Sequence, residues 1–208
     1  MEVGSVIDRG QLYRGLSQAA WGYFLLLLNF NLTFNNTISI NLLPSFAGAL
    51  LLLSATGSLS AERRDLKLLR PLCGLLAAWH LIDWVLNLVG LSVSGRFLYL
   101  DLAVGAASLY FHFQFLTDMA ALAEKYQPPD SDLDRRIRRR RTALLVLDTA
   151  LELASSLVQF IGTEQQAVAT LVWAFLALVV LLVVVILIMR ALFELRRYVR
   201  DMPEVMEE

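Results

Sequence analysis

The sequence predicts an all-α fold, an integral membrane bundle of six transmembrane helices in three hairpins with both termini cytoplasmic. Three observations carry that expectation. Of the 208 residues, 57% are hydrophobic and only 18% charged, where soluble domains run at roughly 45–50% and 25%. The apolar residues form runs of roughly 20, the length a helix needs to cross about 30 Å of hydrocarbon. The charges are gathered into short stretches between those runs.

The spans are expected at 17–34, 42–59, 71–93, 97–121, 143–161 and 167–190, in a single domain covering 1–208. A polar lead with Arg9 and Arg14 precedes the first run. No small-residue cleavage site follows it, so that span is expected to be retained as a signal anchor. The turn Asn35-Asn36-Thr37-Ile38-Ser39 separates the first two spans. Pro44 and Pro71 each suit the first turn of the following helix, where a missing N–H costs nothing. Ser92-Val93-Ser94-Gly95 breaks the chain before the fourth span, and Ile161-Gly162-Thr163-Glu164 before the sixth. Orientation follows from the basic residues. With the N-terminus inside, all of the 18 lysines and arginines except Arg96 fall on the cytoplasmic side. A different number of spans would destroy that asymmetry.

The stretch Ile40-Asn41-Leu42-Leu43-Pro44-Ser45-Phe46-Ala47-Gly48, leading to Gly57-Ser58-Leu59, resembles a pattern of small multi-spanning bacterial membrane proteins of unassigned activity. In that pattern an N-L-L-P-D-F-I-G segment opens the second helix. Ser45 stands where the pattern has an acidic residue. The resemblance covers about residues 20–60 and implies a bacterial membrane protein, expected in the cytoplasmic (inner) membrane, with no activity attached.

Polar residues inside spans are costly and usually face the bundle interior. Three helices carry them in register: His80, Asp83 and Asn87 in the third; Asp101, Gly105, Ser108 and His112 in the fourth; Asp148, Glu152, Ser155 and Gln159 in the fifth. At 3.6 residues per turn each set lies on one stripe, and the three stripes predict a polar seam between those helices. The helical rise places Asp83 and Glu152 within about 2 Å of mid-bilayer. It puts His80 and His112 roughly 3–5 Å, and Asp148 about 6 Å, towards the cytoplasm. Asp101 and Asp118 fall near the two surfaces and are read as interfacial anchors. The deep acids have no lysine or arginine at their level, so His80, Asp83, His112, Asp148 and Glu152 form the candidate ion- or proton-binding set. Asn87, Ser108, Ser155 and Gln159 support it.

The remaining features are read as follows. Arg135, Arg136, Arg138, Arg139, Arg140 and Arg141, in a loop between spans, fix topology and attract anionic lipid headgroups rather than nucleic acid. Cys73 is the only cysteine, which excludes an internal disulfide and a multi-cysteine metal site. Ala103/Ala107 and Ala150/Ala154 are small pairs that permit close packing of helices four and five. No zincin, nucleophile-elbow, P-loop or dinucleotide motif is present, so no catalytic residue is assigned. The leading functional expectation is a structural, accessory or regulatory membrane component, with a membrane partner or a second copy as company. The alternative is a small ion- or proton-coupled transporter or sensor using the seam, with a divalent cation as one candidate ligand. A lesser alternative is b-type haem ligated by His80 and His112.

Overall fold

A computed structural model describes residues 9–27, 31–34, 38–41, 45–89, 91, 98–158 and 165–202. Among the described residues the chain is all-α apart from one small hairpin. The helices are α1 (Arg9–Leu27), α2 (Ser45–Leu59), α3 (Arg64–Leu88), α4 (Leu98–Tyr126), α5 (Leu133–Val158) and α6 (Gln165–Asp201). Between α1 and α2 lie β1 (Asn31–Phe34) and β2 (Ile38–Asn41), antiparallel with Asn31 opposite Asn41 and Phe34 opposite Ile38. Each helix packs on the next in chain order, and α6 returns to pack on α1, closing a ring. One end of this ring carries the start of α1, the α2–α3 and α4–α5 turns and the end of α6; we call it the basal end and the opposite one the apical end. There the termini meet, with Arg9 donating to the Met202 carbonyl at 3.1 Å.

Several boundaries differ from the sequence expectation. The first helix ends at Leu27, so Asn31–Phe34 is strand and not the end of a span extending to 34. Thr33, Ile38 and Ile40 are β-branched and suit the paired strands better than a helix end. The third helix starts at Arg64, not at 71, which places Pro71 inside it. Asp65 in the first turn favours that earlier start through the helix dipole. A proline within an apolar helix is tolerated where neighbouring helices satisfy the freed backbone groups. The fifth helix starts at Leu133 rather than 143, so the arginine cluster is helical and the interhelix turn shrinks to 127–132. Its start is satisfied locally: Ser131 Oγ accepts the Leu133 N–H at 3.3 Å, and Gln127 Oε1 accepts the Asp134 N–H at 3.1 Å. The sixth helix runs on to Asp201. Pro44 and the turns at 92–95 and 161–164 lie outside the described residues.

The core gathers on α1 and α2 and on the basal halves of the other helices. Leu16, Tyr23, Leu52, Leu59, Leu66 and Leu69 meet Phe111, Phe115, Met119, Leu133, Leu192 and Leu195, all buried. The closest backbone approach joins α1 to α2. A Cβ on Gly48 would collide with the backbone nitrogen of Leu26 and lie 2.7 Å from the Gly22 carbonyl oxygen. Glycine at 48 is therefore a packing requirement. Ala103 and Ala150, expected to bring α4 and α5 together, are exposed, so the glycines of α1 and α2 make the tight crossing instead.

Among the described residues, two helical segments are long and apolar enough to cross a membrane: α3 and the Phe175–Asp201 part of α6. The others fall short for visible reasons. α1 opens with Arg9, Gln11 and Arg14; α2 has 15 residues; α4 includes Asp101, His112, Gln114 and Asp118; and α5 opens on arginines.

Candidate functional site

The deep polar residues divide between two neighbourhoods. On α3, Asn87 Nδ2 donates to Asp83 Oδ2 at 3.1 Å, one helical turn away. The other carboxylate oxygen, Oδ1, is buried without a hydrogen-bond partner, as is the indole nitrogen of Trp84, whose ring lies 5.2 Å from that of Phe46 on α2. His80 is half-buried. On α4, His112 is buried, and its Nδ1 lies 3.2 Å from the hydroxyl of Tyr23 on α1, itself fully buried. Its ring sits 5.5 Å from Tyr23 and 5.7 Å from Phe111, while Phe115 packs on both of those rings. Burying either polar group alone would cost about 1–3 kcal/mol; together they satisfy each other and tie α4 across the bundle to α1.

Among the five candidate ligands, His80 and Asp83 share α3, which adjoins α4 with His112. Asp148 is half-buried on α5, which adjoins α4 on its other side but does not touch α3 among the described residues. The described candidates thus sit on helices that adjoin in succession, and His112 turns towards α1. Asp101 and Ser108 are half-buried on α4. The side chains of Glu152 and Ser155, and Gln159 altogether, lie outside the described residues. No cluster of three or more His, Cys, Asp or Glu side chains is placed to hold a metal among those described. Cys73 is buried, with Sγ 3.4 Å from the Ala49 carbonyl oxygen.

The basal end holds a denser polar array. Asp118 is not at the surface but wholly buried; it accepts from Arg63 at 3.3 Å and from Gln114 at 3.5 Å, tying α4 to the α2–α3 turn. Glu62 in that turn accepts from Lys125 at 2.6 Å and from the Tyr126 hydroxyl at 2.7 Å. The hydrogen bond to Glu62 holds the Lys125 ammonium above its usual pKa.

The arginine cluster is largely committed to the protein. Arg136 makes two parallel bonds to Glu194 on α6, at 3.1 and 2.7 Å, and an ion pair with Asp132 at 2.8 Å. Arg138 bonds Glu124 at 2.7 Å. Arg140 donates to the Leu187 carbonyl at 2.6 Å. Arg141 donates to Thr117 at 2.6 Å and stands 4.4 Å over the Phe113 ring. The position of a helical arginine decides its partner: residues facing α4 and α6 close ion pairs or hydrogen bonds, and Arg135 and Arg139 are exposed.

Two groups escape the sequence reading. Tyr23 has no spacing signal, being one aromatic in an apolar run with its partner 89 positions away. The arginines of the last three turns of α6 carry no motif, yet they border a cleft against α1. Comparisons with protein-family models, curated proteins and solved structures found no match to this chain.

Proposed function

We propose that the chain is a multi-pass protein of the bacterial inner membrane, with six crossings and both termini cytoplasmic, acting as a structural or accessory component. What supports membrane residence is the distribution of exposed apolar side chains. They run along the length of α3 and crowd the apical halves of α4 and α6: Leu68, Leu75, Ile82, Val85, Tyr99, Leu102, Phe175, Leu176 and Val179 are all exposed. A soluble monomer rarely shows contiguous apolar patches beyond a few hundred Å². The described basic residues lie at the basal end, as a cytoplasmic face requires. α2, at 15 residues, is only about 22 Å long. The paired strands β1 and β2 extend this hairpin beyond the helices; their outer edges have no strand partner, which places them at the membrane surface and not in the hydrocarbon.

The single observation favouring a structural role is that deep polar groups engage one another. His112 with Tyr23 joins α4 to α1, and Asp118 with Arg63 joins α4 to the α2–α3 turn. That is what interhelical polar contacts do in membranes. The test is extraction of membranes with alkaline carbonate, combined with reporter domains fused after residues 60, 130 and 202. Retention in the pellet with all three reporters cytoplasmic is the expected result; release into the supernatant would refute membrane spanning.

A second reading, a proton- or cation-handling seam, is favoured by the unpartnered Asp83 Oδ1 beside half-buried His80. It predicts a thermal-stability response to divalent cations or to pH 5–8 that Asp83→Asn and Glu152→Gln abolish. A flat response in the wild type removes it. For bis-histidine haem, an absorption spectrum without a Soret band disposes of ligation by His80 and His112.

A further inference from the structure

We infer that the cleft between α1 and α6 at the basal end is a binding site for the phosphate of an anionic phospholipid headgroup. The cleft is lined by Tyr13 from α1 and by Arg190, Phe193, Glu194, Arg196, Arg197 and Arg200 from α6, and it encloses about 630 Å³, within the size range of small-molecule sites. Arg190, Phe193, Arg197 and Arg200 follow one another at helical spacing along one side of α6.

Charge is the first argument. The one acid lining the cleft, Glu194, is neutralised by the two-point contact with Arg136 and accepts the Tyr198 hydroxyl at 2.9 Å. Arg200 pairs with Asp201 at 2.8 Å. Among the described residues, Arg190, Arg196 and Arg197 have no carboxylate partner, leaving a positive surplus.

Arrangement is the second. Arg196 is held between two aromatic rings, 4.7 Å from Tyr13 and 4.9 Å from Phe193, and donates to Ser17 at 3.0 Å. An arginine fixed in this way loses little further freedom on meeting a phosphate, and its planar fork suits phosphate oxygens.

Depth is the third. Arg190 follows directly on the uncharged stretch Leu171–Met189, and half-exposed Trp21 lies edge-on to Phe193 with ring centres 6.2 Å apart. A tryptophan beside a first arginine marks the headgroup level of a bilayer. Acyl chains would lie along the apolar turns of α6 above it, with the phosphate in the cleft.

This site rests on the membrane orientation proposed above, which carbonate extraction tests independently of any headgroup. The site itself is tested with the full chain in neutral detergent, following thermal stability on titration with phosphatidylglycerol, phosphatidylcholine or inorganic phosphate. Phosphatidylglycerol should stabilise the protein, and phosphatidylcholine should not. With about 1 kcal/mol per basic group near a lipid surface, Arg190→Gln combined with Arg197→Gln should weaken the apparent affinity about thirtyfold. Arg197→Gln alone, an exposed change that leaves every ion pair intact, should weaken it about fivefold and covers the case in which the double variant folds poorly. Arg64→Gln with Lys67→Gln, exposed basic residues in the first turns of α3, is the control and should leave the affinity within about twofold. Unchanged affinity in the cleft variants, or an equal loss in the control, overturns the proposal. Stabilisation by inorganic phosphate without any by the lipid also overturns it, in favour of a soluble phosphate compound.

Discussion

The packed region of this molecule and its open region are made of the same helices, yet they obey different rules. In the α1–α2 hairpin and the basal halves of α4 to α6, most apolar side chains are buried on one another, and arginines on α5 and in the α2–α3 turn find carboxylate partners. In the apical halves of α3, α4 and α6, apolar side chains point outward, and Asp83 keeps one oxygen without a partner. Water disfavours the second arrangement, at about 25 cal/mol for each Å² of apolar surface left exposed. Hydrocarbon does not. The contrast teaches that internal contacts set the stability of the packed region, whereas the surroundings set that of the open one.

Substitutions should therefore divide sharply between the regions. The largest effect is expected at Gly48, where Gly48→Val drives a side chain into the backbone of α1. Thermal unfolding in detergent should show a loss of about 3 kcal/mol, at the upper end for overpacking. Arg63→Ala comes next, since it strips the ion-pair partner from wholly buried Asp118. The cost should be about 2 kcal/mol, below that of a fully buried pair because Arg63 is 38% exposed. Arg63→Lys should recover part of it.

Glu194→Gln, which weakens the tie between α5 and α6, should cost about 1 kcal/mol after allowance for screening of a partly exposed pair. Its pH dependence has a definite sign. Burial raises the Glu194 carboxyl, but Arg136 and the Tyr198 hydroxyl outweigh burial and hold its pKa below the usual 4.5. A depressed acid contributes stability above its unfolded pKa and loses it as pH falls through the folded value. The difference between wild type and variant should thus stay constant from pH 7 to about 5 and shrink below about pH 4. A gap that persisted at pH 3 would mean that the charge pair does not hold these helices.

At the small end, two changes in the open region should barely register. Leu176 is 52% exposed and truncating it in Leu176→Ala leaves no internal cavity; a Cβ added in Gly105→Ala meets nothing within 4 Å. Each should change stability by less than about 0.5 kcal/mol. A large loss at Leu176 would reveal a protein partner on α6.

Much of this division was legible in the sequence, because hydropathy and charge report surroundings and are spread over many residues. All six helices were expected, as was the gathering of basic residues at one end. The errors have a common physical origin. Hydropathy detects the part of a helix that suits lipid, and α3, α5 and α6 continue beyond it at the basal end, where ion pairs hold the charged turns of α5. Leu133 to Thr142 was read as loop for that reason, although Asp134 with Gln127, Arg136 with Glu194 and Arg138 with Glu124 make it a packed helix. Helical spacing placed His80, Asp83 and Asn87 on one stripe, and the Asp83–Asn87 hydrogen bond follows from it. Spacing on one helix says nothing about which helix lies opposite, so neither the turn of His112 towards Tyr23 nor the burial of Asp118 against Arg63 was foreseeable. Gly22 and Gly48 gave no signal either, since a close crossing needs both partners in view.

The most direct test of the central claim compares single cysteines in the two surroundings, with buried Cys73 first changed to serine. Val180→Cys, on the open face of α6, and Arg197→Cys, beyond it at the basal end, are both exposed sites. In native membranes opened at the cytoplasmic face, a water-soluble, membrane-impermeant maleimide should label position 197 and leave position 180 unmodified until denaturant is added. Equal labelling at both positions before denaturation would contradict the account, because the apolar face of α6 would then be meeting water.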